Sequence, residues 1–187
     1  MCLVPVVFLV MFVRPSVPTD SGVSFILEST GYVFLLAGLA IRMWSILYVG
    51  GRKSRELVTE GPYSICRNPL YVGTFFLAIG AGLCFENLPL LAATVAVILP
   101  VHLVAAKMEE HHLQATFPVK YPQYRRRVPR FWPRFHNYRS QKTLVISVHA
   151  IRRATVDAVC VLLIPLVEDF LEILHQYGVV PVLWRFP

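Results

Sequence analysis

Two uncharged apolar runs, joined through one short turn, constrain this chain more than any other feature. Tyr71–Phe85 carries no charged residue. Leu88–Ala106 carries none either, and its only ionisable residue is His102. A bilayer-spanning helix needs roughly 20 mainly apolar residues. Leu88–Ala106 meets that length, and Tyr71–Phe85 falls short of it unless Asn68–Leu70 extend it. With the turn Glu86-Asn87-Leu88-Pro89 between them, the two runs read as a helical hairpin. A hairpin that crosses and returns leaves both outer ends on the same side.

The charge map agrees with that arrangement. Lys107–Lys142 holds nine Lys or Arg and two acids, Glu109 and Glu110, which accounts for the whole net charge of +7. A second basic stretch, Arg52, Lys53, Arg55 and Arg67, lies just before the hairpin. Basic residues gather on the cytoplasmic side of membrane proteins, so both hairpin ends are expected there. Charged residues make up 16% of the chain, against about 25% in soluble domains. The aromatic and basic segment Tyr121–Trp132 is open to a nucleic-acid reading. Directly after a span, it reads instead as a juxtamembrane segment drawn to anionic lipid. The expected partners are membrane lipid and a lipophilic small molecule, with no nucleic acid. Oligomeric state is not legible.

The remaining segments complete an all-α integral membrane bundle of about four spanning helices plus a C-terminal amphipathic helix. Val33–Leu47 is broken only by Arg42 and Ser45, and extends back through Val23–Leu27. Met1–Val13 is apolar but short, and no Lys or Arg precedes it. It reads as a short or partial span rather than a secretory signal. Leu144–Tyr177 reads as helical, but its apolar core Ala158–Val167 is flanked by charge on both sides. That suits a helix lying on the bundle or in the interface. Residues 1–187 thus form one domain: N-terminal spans over 1–49, a core with the hairpin over 50–142, and an amphipathic segment over 143–187. The four cysteines form no Cys-x-x-Cys pair, and no metal site is expected.

Polar residues at the edge of spans are costly and mark functional candidates. Two clusters stand out. In Gly61-Pro62-Tyr63-Ser64-Ile65-Cys66-Arg67-Asn68-Pro69-Leu70-Tyr71, Pro69 suits the first turn of the next helix. Arg67 and Asn68 then sit at that helix's N-terminus, a place where backbone N–H groups and an arginine fork can grip a carboxylate. The same residues read equally well as a turn bearing one lipid-facing arginine. In Lys107-Met108-Glu109-Glu110-His111-His112, two acids close a span, against the helix macrodipole. They call for a cationic partner, either Arg67 or a bound cation. The hairpin brings the clusters to similar depth, so one could hold the carboxylate of an amino-acid-like cofactor and the other its cationic or ribose groups. His102 lies two helical turns before Glu109, on the same face. A packing role suits it as well as a catalytic one. Glu109-x-x-His112 has di-iron spacing, but only one copy is present where two are needed. No Gly-x-Gly-x-x-Gly, P-loop or Gly-x-Ser-x-Gly occurs, which excludes a soluble Rossmann methyltransferase.

These clusters resemble the isoprenylcysteine carboxyl methyltransferase and phospholipid methyltransferase group of membrane enzymes. The resemblance runs from about Gly31 to Arg134. It rests on Gly61-Pro62-Tyr63, on Arg67, Pro69 and Tyr71, on Glu109-Glu110, then Leu113, Phe117, Tyr121 and Tyr124, and on Val128-Pro129-Arg130-Phe131-Trp132-Pro133. It implies S-adenosyl-L-methionine as cofactor and methyl transfer to a lipophilic acceptor, isoprenylcysteine carboxylate-like or phospholipid amine-like, that enters from the bilayer. It implies a cofactor site of Tyr63, Arg67, Asn68, Pro69, Tyr71, Glu109, Glu110, Tyr121 and Tyr124. The catalytic group stays open, with His102 and Arg130 as candidates. The group usually has His where this chain has Asn68, so position 68 cannot act as a titrating base. Two rivals remain: a membrane reductase of related fold using NADPH, and a non-catalytic protein that keeps the scaffold.

Overall fold

The computed structural model describes residues 22–50, 56–144 and 146–177, and all regular structure among them is helical. Helix α1 spans Gly22–Val49 and α2 is a single turn, Pro62–Ile65. The hairpin is α3, Pro69–Cys84, and α4, Leu88–Thr116. Then come α5, Lys120–Arg127, a 3₁₀ turn at Phe135–Asn137, and α6, Val148–Gln176. The expected segment Met1–Val13 and the basic residues Arg52, Lys53 and Arg55 lie outside the described residues.

The hairpin forms where expected. Pro69 opens α3, because its missing N–H would have no partner in a first turn anyway. Even so extended, α3 has 16 residues, or about 24 Å at 1.5 Å per residue. That is less than the ~30 Å of a bilayer core. Among the described residues two helices are long and apolar enough to cross a membrane, α1 and the Leu91–Thr116 part of α4. That is fewer than the four spans expected; α3 is short, and α6 carries charge near both ends. The hairpin turn is tighter than the sequence suggests, since Leu88 and Pro89 already belong to α4. Glu86 closes it in a left-handed conformation, and its buried carboxylate accepts a hydrogen bond from Ser24 Oγ on α1.

Helix α3 packs most closely on α1, through glycines that come in pairs seven residues apart on each helix. A Cβ at Gly38 would lie 2.8 Å from the Gly73 carbonyl oxygen, and one at Gly80 would lie 2.8 Å from that of Gly31. Side chains larger than hydrogen would force the backbones apart. In lipid this matters more than in water, because association depends on close van der Waals contact rather than on exclusion of water. Helix α6 docks on α1, burying Ala150 and Ala154, and Asp157 pairs with Arg42 at 2.7 Å. The C-terminal helix therefore lies on the bundle, the first of the two placements expected for it. Its Leu162, Leu166 and Phe170 are exposed.

Candidate functional site

The site is built at the outer ends of the hairpin. Gly61 turns the chain into α2 with φ of +58°, a conformation that costs a side-chain-bearing residue and is free to glycine. Its N–H donates to the Arg139 carbonyl at 2.7 Å. Ser64 Oγ donates to the Gly61 carbonyl and accepts from the Arg139 N–H. Residues 61–68 are tied in the same way to the strap that follows α5. Arg67 N–H donates to the Pro129 carbonyl at 2.8 Å, Asn68 N–H to that of Arg130 at 3.2 Å, and Arg134 N–H to that of Ile65 at 3.0 Å. The strap thus runs beside the start of α3 and delivers Arg130 to the end of α4.

Glu110 is the centre of the arrangement. It is buried, and Arg130 grips it with both arms of its fork, Nε to Oε1 at 3.0 Å and Nη2 to Oε2 at 2.6 Å. Asn68 Nδ2 donates to Oε1 at 2.9 Å. Asn68 is the N-cap of α3 but makes no side-chain cap, because its amide is turned to Glu110 instead. Arg67 faces the same carboxylate, with Nη1 3.3 Å from Oε2. The angles there do not make a hydrogen bond, and Arg67 Nε and Nη1 stay buried without a hydrogen-bond partner. Two guanidinium groups share one carboxylate, and one of them keeps buried donors to spare. Next to it Glu109, half-buried, accepts a hydrogen bond from the Tyr71 hydroxyl at 3.1 Å.

Beside these groups lies a small pocket, open to solvent, with a cavity volume of about 80 Å³. Tyr63, Arg67, Asn68, Tyr71, Glu109, Glu110, Tyr121 and Tyr124 line it, so eight of the nine expected cofactor residues meet there. Pro69 shapes the helix start and does not line it. Tyr121, Tyr124 and Val128 form a buried cluster against Leu57, Leu113 and Phe117. The Tyr124 hydroxyl donates to the Tyr63 carbonyl at 2.8 Å. Burial pushes the phenols of Tyr63 and Tyr124 well above their usual range, so both stay neutral donors. Burial also pushes the Cys66 thiol up to about 11.

Neither catalytic candidate lines the pocket. Arg130 is committed to Glu110, and that bond raises its own pKa further. His102 donates from Nδ1 to the Ile98 carbonyl at 2.9 Å and packs edge-on against Tyr71 and Phe75. It sits behind Tyr71, the residue that holds Glu109. Sequence reasoning missed the apolar wall of Val49, Leu57 and Val58, and the acid Glu56. Nothing in their local pattern marks them, because they become neighbours only when the chain before α2 folds over the hairpin end. Among the described residues no group of three or more His, Cys, Asp or Glu is placed to hold a metal ion.

Comparison with known proteins gives this geometry a family. Residues 23–120 match the family model for phospholipid methyltransferase. The chain is 33% identical over 184 residues to the nickel-cobalt-cadmium resistance protein NccN of Alcaligenes xylosoxydans xylosoxydans, covering 98% of this chain and 86% of that one. It is 33% identical over 157 residues to the cobalt-zinc-cadmium resistance protein CzcN of Cupriavidus metallidurans, covering 84% and 72%. No solved structure matches it. The family match takes in every cofactor-site residue expected from the sequence except Tyr121 and Tyr124, and with it the chain belongs to the phospholipid methyltransferase family.

Proposed function

We propose that this chain is an S-adenosylmethionine-dependent membrane methyltransferase that modifies a lipophilic acceptor at the cytoplasmic face. The observation that carries the reading is the pair of buried Arg67 nitrogens that make no hydrogen bond, beside a pocket that Tyr63, Tyr71 and Glu109 also line. A buried, unsatisfied guanidinium group is expensive unless a ligand completes it. A carboxylate does so best, since it matches the fork. Glu110 and Arg130 hold that guanidinium in place, and Glu109, steadied by Tyr71, offers an acceptor to an ammonium or a ribose hydroxyl. The residues present therefore fit an amino-acid-like cofactor that carries both charges.

S-adenosylmethionine would supply a methyl group on a cationic sulfur. The chain's part is to bind, orient and keep water out, which is where much of the rate of a displacement arises. Leu57, Val58, Leu70 and Leu113 form the dry wall, and Tyr63 and Tyr124 stiffen it. Both hairpin ends and the basic strap lie on one side, which the positive-inside rule assigns to the cytoplasm. The test is transfer of labelled methyl from S-adenosylmethionine into a membrane extract by purified protein. Label should enter a lipophilic fraction, and Arg67→Ala should abolish it. Binding of NADPH without S-adenosylmethionine would overturn the reading in favour of a reductase. Cofactor binding with no transfer to any fraction would favour a non-catalytic scaffold.

The names of the two relatives support a second layer, in which methylation by this chain serves resistance to divalent metals. Growth of a deletion strain on nickel, cobalt and cadmium, complemented with wild type and with Glu110→Gln, tests it. Rescue by wild type alone supports it, and equal rescue by both contradicts it.

A further inference from the structure

Between Glu110 and Asp157 the sequence contains no acidic residue and ten Lys or Arg. Arg130 turns inward to Glu110, and the other nine are exposed. Among them, Lys120, Arg125, Arg126, Arg127 and Arg134 lie on the same stretch of chain as two large exposed apolar side chains, Trp132 at 84% and Phe135 at 72%. In water such aromatics would be a liability. Their place in the fold explains them. Phe131 packs edge-on against Phe75, a residue of the apolar helix α3, at 6.3 Å between ring centroids. The strap therefore folds back to the level where the hairpin enters the bilayer, and Trp132 is the next residue along it.

We infer that the strap and α5 form a docking surface for anionic lipid headgroups, with Trp132 and Phe135 inserted at the interface and the arginines on the phosphates. Charge complementarity selects the partner: a run of exposed cations with no acid among them, on one segment with aromatics that favour the headgroup zone. The surface adjoins the site, because the strap residue before Phe131 is Arg130, which grips the pocket-lining Glu110. It does not depend on methyl transfer, and its test needs no methyl donor.

The experiment uses the full chain in vesicles whose lipids carry brominated acyl chains, with phosphatidylcholine alone or mixed with phosphatidylglycerol. Tryptophan quenching should be greater with phosphatidylglycerol, and raised salt should erase the difference. The extra quenching should disappear in Trp132→Phe, which keeps an aromatic ring but removes the reporter. It should also disappear in Arg125→Gln/Arg126→Gln/Arg127→Gln, whose side chains are exposed and whose thermal unfolding should match wild type. Equal quenching in both lipids, unaffected by salt, would overturn the inference. So would shielding of Trp132 by a single-stranded oligonucleotide in the presence of the anionic vesicles, which would mark a nucleic-acid surface.

Discussion

Two arginines in this bundle meet carboxylates in opposite ways. Arg42, in the interior of α1, has both arms of its fork engaged by the protein: Nη1 donates to Thr74 Oγ1 and Nη2 to Asp157 Oδ2, both at 2.7 Å. It links three helices, and its partner Asp157 remains 44% exposed. Arg67 is more deeply buried, shares its carboxylate with Arg130, and keeps two buried nitrogens that make no hydrogen bond. A centre whose donors and acceptors balance holds helices together. A centre with donors left over, next to an open pocket, is built for something that arrives later. Charge alone would not tell the two apart, since both are arginine–carboxylate pairs.

The largest effect is expected at Glu110. Glu110→Ala strands two guanidinium groups, and breaking a buried ion pair from one side costs about 3–5 kcal/mol. Thermal unfolding in detergent should show that loss, and cofactor binding should vanish. Cys66, shielded by the strap carbonyls of Arg130 and Phe131, reports on the same event. Its thiol, raised to about 11, should alkylate slowly at neutral pH in wild type and faster in Glu110→Ala as the strap loosens. Next comes Gly73→Val, which presses on Arg42 and on the Gly38 carbonyl. Overpacking there should cost about 1–3 kcal/mol, with cofactor affinity changed only through loss of folded protein.

Arg67→Lys sharpens the contrast. It keeps the charge and loses the fork. A lost hydrogen bond to a charged group is worth about 1.5–3 kcal/mol. Affinity for S-adenosylmethionine should therefore fall roughly 10–100-fold, while stability barely moves, as isothermal titration and thermal unfolding would show. The smallest effect belongs to Asp157→Asn. Half-exposed pairs contribute under about 1 kcal/mol, so stability should drop slightly and cofactor affinity should hold. If Asp157→Asn weakened binding as much as Arg67→Lys, the distinction between the two centres would collapse.

Much of the site is legible in the sequence because one topological fact does the work. A hairpin that returns to its own side must bring Arg67–Tyr71 near Glu109–Glu110, and the structure joins them through Asn68 and Tyr71. Other features carry no local signal. The Arg42–Asp157 bond spans 115 residues, and no periodicity announces it. The glycine seam of Gly31, Gly38, Gly73 and Gly80 is visible as a seven-residue spacing, but only the packed helices show that the two spacings match. The roles within the acidic pair also needed coordinates. Glu110 is held by Arg130, Asn68 and Arg67, whereas Glu109 meets the Tyr71 hydroxyl at the pocket wall.

The central claim is that the pocket between the start of α3 and the end of α4 holds the cofactor. Ultraviolet crosslinking of labelled S-adenosylmethionine to the purified chain, followed by peptide mapping, tests it most directly. The account predicts label within Glu56–Tyr71 or Glu109–Tyr124, displaced by unlabelled cofactor and lost in Arg67→Ala. Displaceable label on α6, or label that persists in Arg67→Ala, would contradict it.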